Sequence, residues 1–135
     1  MTVGYSGSPQ AKKLGIKPGV RLALHRTPAG WRFDADPTDA TLVTDDGPAD
    51  VLIAFVTSAD DVLTDIDSLR ERVFPAGALW IAWPRKAAGH VSDVTENLIR
   101  DTALERGLVD VKVAALSEDW SALKLVWRIE NRTRQ

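Results

Sequence analysis

Two unbroken apolar runs joined by an amphipathic helix predict a three-layer α/β domain. Its sheet is mostly parallel and closes with a C-terminal antiparallel strand pair. The first run is Val51 to Val56 and the second Ala78 to Trp83. Continuous hydrophobicity of this kind marks strands covered on both faces, so both belong mid-sheet. Between them Thr57 or Ser58 can cap a helix that carries Asp60 and Asp61 in its first turn, where the helix dipole favours negative charge. Val62, Ile66, Leu69 and Val73 recur at helical spacing, leaving Asp65, Asp67, Arg70 and Arg72 for the polar face. Pro75-Ala76-Gly77 ends the helix. A crossover of this length should be right-handed, which makes the two runs parallel neighbours.

The 135 residues suit a single domain spanning the whole chain, with 1–7 as a flexible arm and 130–135 as a polar tail. A net charge of −2 gives no global attraction to nucleic acid or anionic membrane, and neither partner is expected. The charge is unevenly spread. No Lys or Arg falls between Arg32 and Arg70, where ten aspartates from Asp34 to Asp67 read as a solvated acidic flank. No D-x-D-x-D-G loop is present, and the absence of cysteine removes disulfides, thiolate metal sites and cysteine nucleophiles, so no metal site is expected. With no basic-then-apolar start and no long apolar run, a cytoplasmic protein is the expectation.

Taken in order, Ser8, Pro9 and Gly15 punctuate a short helix as N-cap, first helical residue and C-terminal stop. Val20 to Leu24 is the first strand. His25-Arg26-Thr27-Pro28-Ala29-Gly30-Trp31 follows it, and 31–39 is polar, so the helix expected next is nearly absent. Thr41 to Thr44 forms a brief edge strand. Beyond Trp83, 84–91 is a loop, and Ser92 or Asp93 caps a helix running to Gly107 with Val94, Leu98, Ile99 and Thr102 or Ala103 inward. Val109 to Leu116 and Ala122 to Ile129 make the antiparallel pair, with Leu123, Leu125, Trp127 and Ile129 on one face.

This order of elements, with Leu14-Gly15-Ile16-Lys17-Pro18-Gly19-Val20-Arg21 and Phe74-Pro75-Ala76-Gly77-Ala78-Leu79, resembles a shortened class I methyltransferase scaffold of Rossmann-like type. Gly4-Tyr5-Ser6-Gly7, Lys12 to Gly19, Ala78 to Pro84 and Trp120 to Val126 resemble, over nearly the whole chain, a family of small bacterial proteins of unknown function. That second resemblance implies no activity. The first implies an adenosyl-methionine site, which needs a close-approach glycine loop after the first strand and an acid ending the second. His25 to Trp31 lacks the loop, so no cofactor is expected.

Ligands of an open parallel sheet bind outside the carboxyl ends of its strands. Four loops meet there: His25-Arg26-Thr27, Thr57-Ser58, Trp83 through Arg85, Lys86 and His90, and Glu118-Asp119-Trp120. Arg26, Arg85 and Lys86 offer donors to an anion, Trp83 and Trp120 offer flat walls, and His25 or His90 offers a base near Glu118 or Asp119. Ser58 lacks the flanking glycines of a nucleophile elbow. The main reading is a non-catalytic binding or regulatory module for a small anionic ligand. The alternatives are a small enzyme acting on an anionic metabolite, a degenerate adenosyl-methionine-dependent methyltransferase, or a protein-interaction domain using an edge strand near Val126 to Ile129, homodimer included.

Overall fold

A computed structural model of the chain describes residues 8–85 and 92–133. The expected arm at 1–7, Lys86, His90 and the last two residues of the expected tail lie outside them. The elements are α1 (Pro9–Leu14), β1 (Arg21–His25), β2 (Thr41–Leu42), β3 (Val51–Phe55), α2 (Ala59–Leu69), β4 (Ala78–Pro84), α3 (Glu96–Glu105), β5 (Leu108–Ala115) and β6 (Trp120–Trp127). They form one six-stranded sheet in the order β2-β1-β3-β4-β6-β5. The two apolar runs are parallel neighbours, with Val51 opposite Ala78 and Phe55 opposite Ala82. β2, β1, β3 and β4 are all parallel, while β6 runs antiparallel to both β4 and β5.

Strand pleating explains why β3 is apolar throughout. Leu52, Ala54 and Val56 join one buried cluster, and Val51, Ile53 and Phe55 join another on the opposite face. The first cluster lies under α2 and α3, which supply Val62, Ile66, Leu69, Ile99 and Ala103, each contributing roughly 1.5–3 kcal/mol for the larger side chains. The second face has much lighter cover: α1 gives Ala11 and Leu14, and the irregular 27–40 segment leans in with Trp31, Phe33 and Ala40. Ser8 accepts from the Ala11 amide, and Gly15 ends α1 at φ 77°, a left-handed conformation that suits glycine. Trp80, fully buried, ties α1 to the sheet by donating its indole N–H to the Leu14 carbonyl at 3.2 Å.

Several expectations are corrected. α3 is capped by Thr95, whose hydroxyl accepts from the Leu98 amide. Asp93 instead accepts from the Ala59 amide at 2.8 Å, so it serves the start of α2, and Ser92 donates to the Thr57 carbonyl. The last strand begins two residues early, at Trp120, because 116–119 already makes the reversal; Leu116 and Ser117 both donate to the Trp120 carbonyl. Ile129 consequently leaves the sheet for a single 3-10 turn and is 78% exposed. β6 lies between β4 and β5, so the sheet edge at this end is Leu108 to Ala115 and not Val126 to Ile129. That edge carries a bulge between Asp110 and Lys112, with Val111 and Val113 exposed. Asp65, assigned to the polar face of its helix, is 1% exposed.

Candidate functional site

The carboxyl ends of β1, β3 and β4 gather three of the four expected loops, and Trp120 at the start of β6 stands opposite Pro84. Arg85 is fixed there: its amide donates to the Asp119 carbonyl at 2.8 Å and its guanidinium to the Glu118 carbonyl. Glu118 and Asp119 thus meet Arg85 through their backbone. The two tryptophans are not facing walls, because Trp83 packs with the cluster under α2 and α3 while Trp120 packs on the opposite face.

The rim between β1 and β3 is filled by charge. Arg26 holds φ 59°, unusual for a side-chain-bearing residue, and that turn brings its Nε to 3.0 Å from Asp65 Oδ2. His25 Nε2 lies 3.4 Å from the same carboxylate, with its side chain 34% exposed. Arg26 also reaches Asp61 at 3.7 Å. The Asp65 hydrogen bond, then the charges of Asp65 and Asp61, hold the Arg26 guanidinium above its usual pKa. Burial works against ionised Asp61, but the Thr57 amide, Arg26 and the Ser58 and Thr57 hydroxyls outweigh it and keep that carboxyl below its ordinary value. Ser58 accepts from the Asp61 amide as N-cap of α2. Thr57 and Ser58 are therefore committed to the helix start, and Asp65 is the counter-ion that sequence reasoning missed.

Two hollows flank this rim. On the lightly covered face, a pocket of about 590 Å³ lies between β1, β2 and the 27–40 segment. Leu22, Leu24, Trp31, Phe33 and Leu42 wall it, with Thr27, Arg32 and Asp36 at its margin. The aromatics are held edge to face, Trp31 with Phe33 at 4.8 Å and with Phe55 at 5.0 Å, and Phe55 with Trp120 at 5.2 Å. The Trp31 indole N–H is buried and has no hydrogen-bond partner among the described residues. On the α2 face a smaller hollow of about 350 Å³ opens beside His25, Val43, Thr44, Asp46 and Arg72. Of the residues lining the first pocket only Thr27 belongs to a loop expected at the ligand edge; the signal for the rest was the Trp31-x-Phe33 alternation inside a polar stretch.

No family model matches the chain, and no curated protein matches it, so the likeness to a bacterial family of unknown function gains no support there. Solved structures do match. The chain is similar to a Sulfolobus solfataricus protein assigned to the type 11 methyltransferases, with a TM-score of 0.56 and 12% identity over 99% of this chain and 98% of that one. It is similar to the magnesium protoporphyrin IX methyltransferase of Synechocystis PCC 6803 with bound SAM, at a TM-score of 0.56 and 14% identity over 82% and 71% of the two chains. It is also similar to the ribosomal protein L11 methylase of Lactobacillus delbrueckii subsp. bulgaricus, at 0.56 and 14% over 87% and 74%. In the SAH-bound form of the Synechocystis enzyme the match spans 52% of that chain. The fold is the Rossmann-like α/β fold of these methyltransferases. Among the described residues no helix is long and apolar enough to cross a membrane.

An adenosyl ligand can be tested against the residues present. Its ring meets a fitting apolar environment in the larger pocket, which Trp31 and Phe33 wall and Asp36 lines at the margin. Its amino-acid tail does not. The place of the glycine loop is taken by Arg26, locked to Asp65, and the acid after β2 that a ribose would need is engaged locally: Asp45 accepts from the Gly47 amide while Arg72 donates to the Asp45 and Gly47 carbonyls.

Proposed function

We infer that the chain is a degenerate form of the methyltransferase scaffold that binds a nucleoside-class ligand in the pocket between β1, β2 and the 27–40 segment. The observation that carries this is the aromatic-walled hollow of about 590 Å³, beside which the Trp31 N–H is buried without a partner among the described residues. Ligand pockets fall in this size range and are lined by apolar and aromatic groups with a few placed polar ones. A buried donor without a partner costs about 1–3 kcal/mol, which a ring nitrogen or carbonyl would recover once the indole turns its N–H toward the ligand. The methyltransferase neighbours support the adenosyl class as the first ligand to try. This reading moves from a generic anionic ligand toward the degenerate-methyltransferase alternative. With no cradle for the tail, adenosine should bind within a few-fold of adenosyl-methionine and adenosyl-homocysteine. Isothermal titration with the three compounds tests it. Saturable binding weakened about tenfold in Trp31→Phe, which keeps the ring and loses the N–H, supports the reading. Silence across all three, or a large preference for adenosyl-methionine that survives Trp31→Phe, refutes it.

A second reading, a small enzyme acting on an anionic metabolite, is favoured by the half-exposed His25 against the buried Asp65. A buried carboxylate that orients an accessible imidazole is the arrangement of a general base. The hollow of about 350 Å³ beside it would take the substrate. A turnover found by metabolite screening that disappears in His25→Gln, with the fold retained, would select this reading.

A further inference from the structure

β5 and β6 face the lightly covered side of the sheet with Lys112 and Lys124 directly opposite each other. Like charges placed this way across antiparallel strands are destabilising. The pair nevertheless sits there with no carboxylate partner among the described residues. None of Lys12, Lys13, Lys17, Lys112 and Lys124 forms an ion pair among the described residues, whereas Arg21, Arg26, Arg100, Arg106 and Arg128 all do. The ammonium of Lys112 lies 5.9 Å from the centre of the Trp80 ring, so an aromatic face forms the floor beneath it. Lys124 is half-buried beside it. Burial, then the charges of Lys112 and Lys17, push the Lys124 ammonium below its ordinary pKa, which places Lys17 of the α1–β1 turn within electrostatic reach. The fold thus sets two cations side by side on adjacent strands, and among the described residues no carboxylate forms an ion pair with either.

We propose that the opposed Lys112 and Lys124 form a binding site for a multiply charged phosphoryl anion, on the face of the sheet opposite α2 and α3. A tetrahedral anion accepting from both ammonium groups would cancel their repulsion and make charge-assisted hydrogen bonds. The site is separate from the Trp31 pocket and stands whether or not a nucleoside binds there. The phosphoryl groups could belong to a free oligophosphate or to a nucleic-acid backbone, and the two sources behave differently.

The test uses the full chain and inorganic tripolyphosphate. Calorimetric titration at low salt should give saturable binding that weakens at least about tenfold in Lys112→Gln and in Lys124→Gln and is unchanged in Lys12→Gln. Melting without anion guards against a folding artefact, because Lys124→Gln should raise the melting temperature while lowering affinity. Competition with a single-stranded oligonucleotide assigns the source: displacement of tripolyphosphate at equal phosphate concentration points to a nucleic-acid backbone, and failure to displace it points to a free anion. Affinity equal in wild type, Lys112→Gln and Lys124→Gln, or no saturable binding, overturns the proposal.

Discussion

Removing Arg26 should harm the fold more than removing Asp65, although only Asp65 is buried. The side chain of Asp65 is 1% exposed and that of Arg26 is 45% exposed. In Asp65→Ala the orphaned guanidinium swings into water or toward Asp61, and alanine suits a helix interior, so the cost is about 1 kcal/mol for the lost hydrogen bond. In Arg26→Ala the carboxylate stays inside with His25 as its remaining partner. Stranding one member of a buried pair costs about 3–5 kcal/mol, and the open side of this pair lowers that to about 2–3. A third variant separates charge from backbone. Arg26→Gly loses the same pair but relieves the left-handed φ of 59°, so it should recover about 1 kcal/mol relative to Arg26→Ala. Urea unfolding reads all three, and in thermal unfolding the melting temperatures should fall by roughly 4 °C per kcal/mol in a chain of this size. If Asp65→Ala proves as destabilising as Arg26→Ala, the buried-carboxylate account of this rim is wrong.

Other changes probe positions where packing or charge is decisive. In Gly77→Ala the new methyl would meet the carbonyls of Ala49 at 2.8 Å and of Asp50 and Val73 at 3.0 Å. Backbone cannot yield there as a side chain would, so a loss of about 2 kcal/mol or more in urea unfolding is expected. Thr95→Ala should cost about 1 kcal/mol through its cap on α3; hydrogen exchange should show the loss at the start of α3, whereas Asp93→Ala loosens the start of α2. Asp50 is held below the usual carboxylate pKa, chiefly by the Arg21 side-chain hydrogen bond. A depressed carboxyl contributes stability above its unfolded pKa of about 4 and loses it as pH falls through the folded value, so Asp50→Asn should flatten the acid limb below about pH 4.

The sheet was legible because its signals are local and strong. Each residue of β3 and β4 meets a buried surface, so the sequence there shows apolar runs with turn residues at both ends. Ser8, Pro9 and Gly15 announced α1 for the same reason: capping chemistry is confined to a few neighbouring residues. The misses have a common origin in long-range geometry. Asp65 lies on the apolar stripe, three residues after Val62 and four before Leu69, and a wheel drawn through those positions would have placed it inside. What made it tolerable there was Arg26, thirty-nine residues away, which local pattern cannot reveal. Asp93 looks like a cap for the helix that follows it, yet the crossing of α2 and α3 puts it at the start of the other. The position of β6 inside the sheet depends on pairing with β4, and that pairing has no local signature. The hollow opens where a helix is missing, and its walls come from a stretch that composition alone marks as polar.

The most direct test of the nucleoside-pocket reading is a ¹H–¹⁵N spectrum of the five tryptophan indoles during an adenosine titration. The Trp31 resonance should move downfield and saturate as its N–H gains an acceptor, while Trp80, already bonded to the Leu14 carbonyl, and Trp127, bonded to the Arg70 carbonyl, stay in place. A stationary Trp31 resonance at saturating adenosine, or a larger shift at Trp83 on the opposite face, would contradict it.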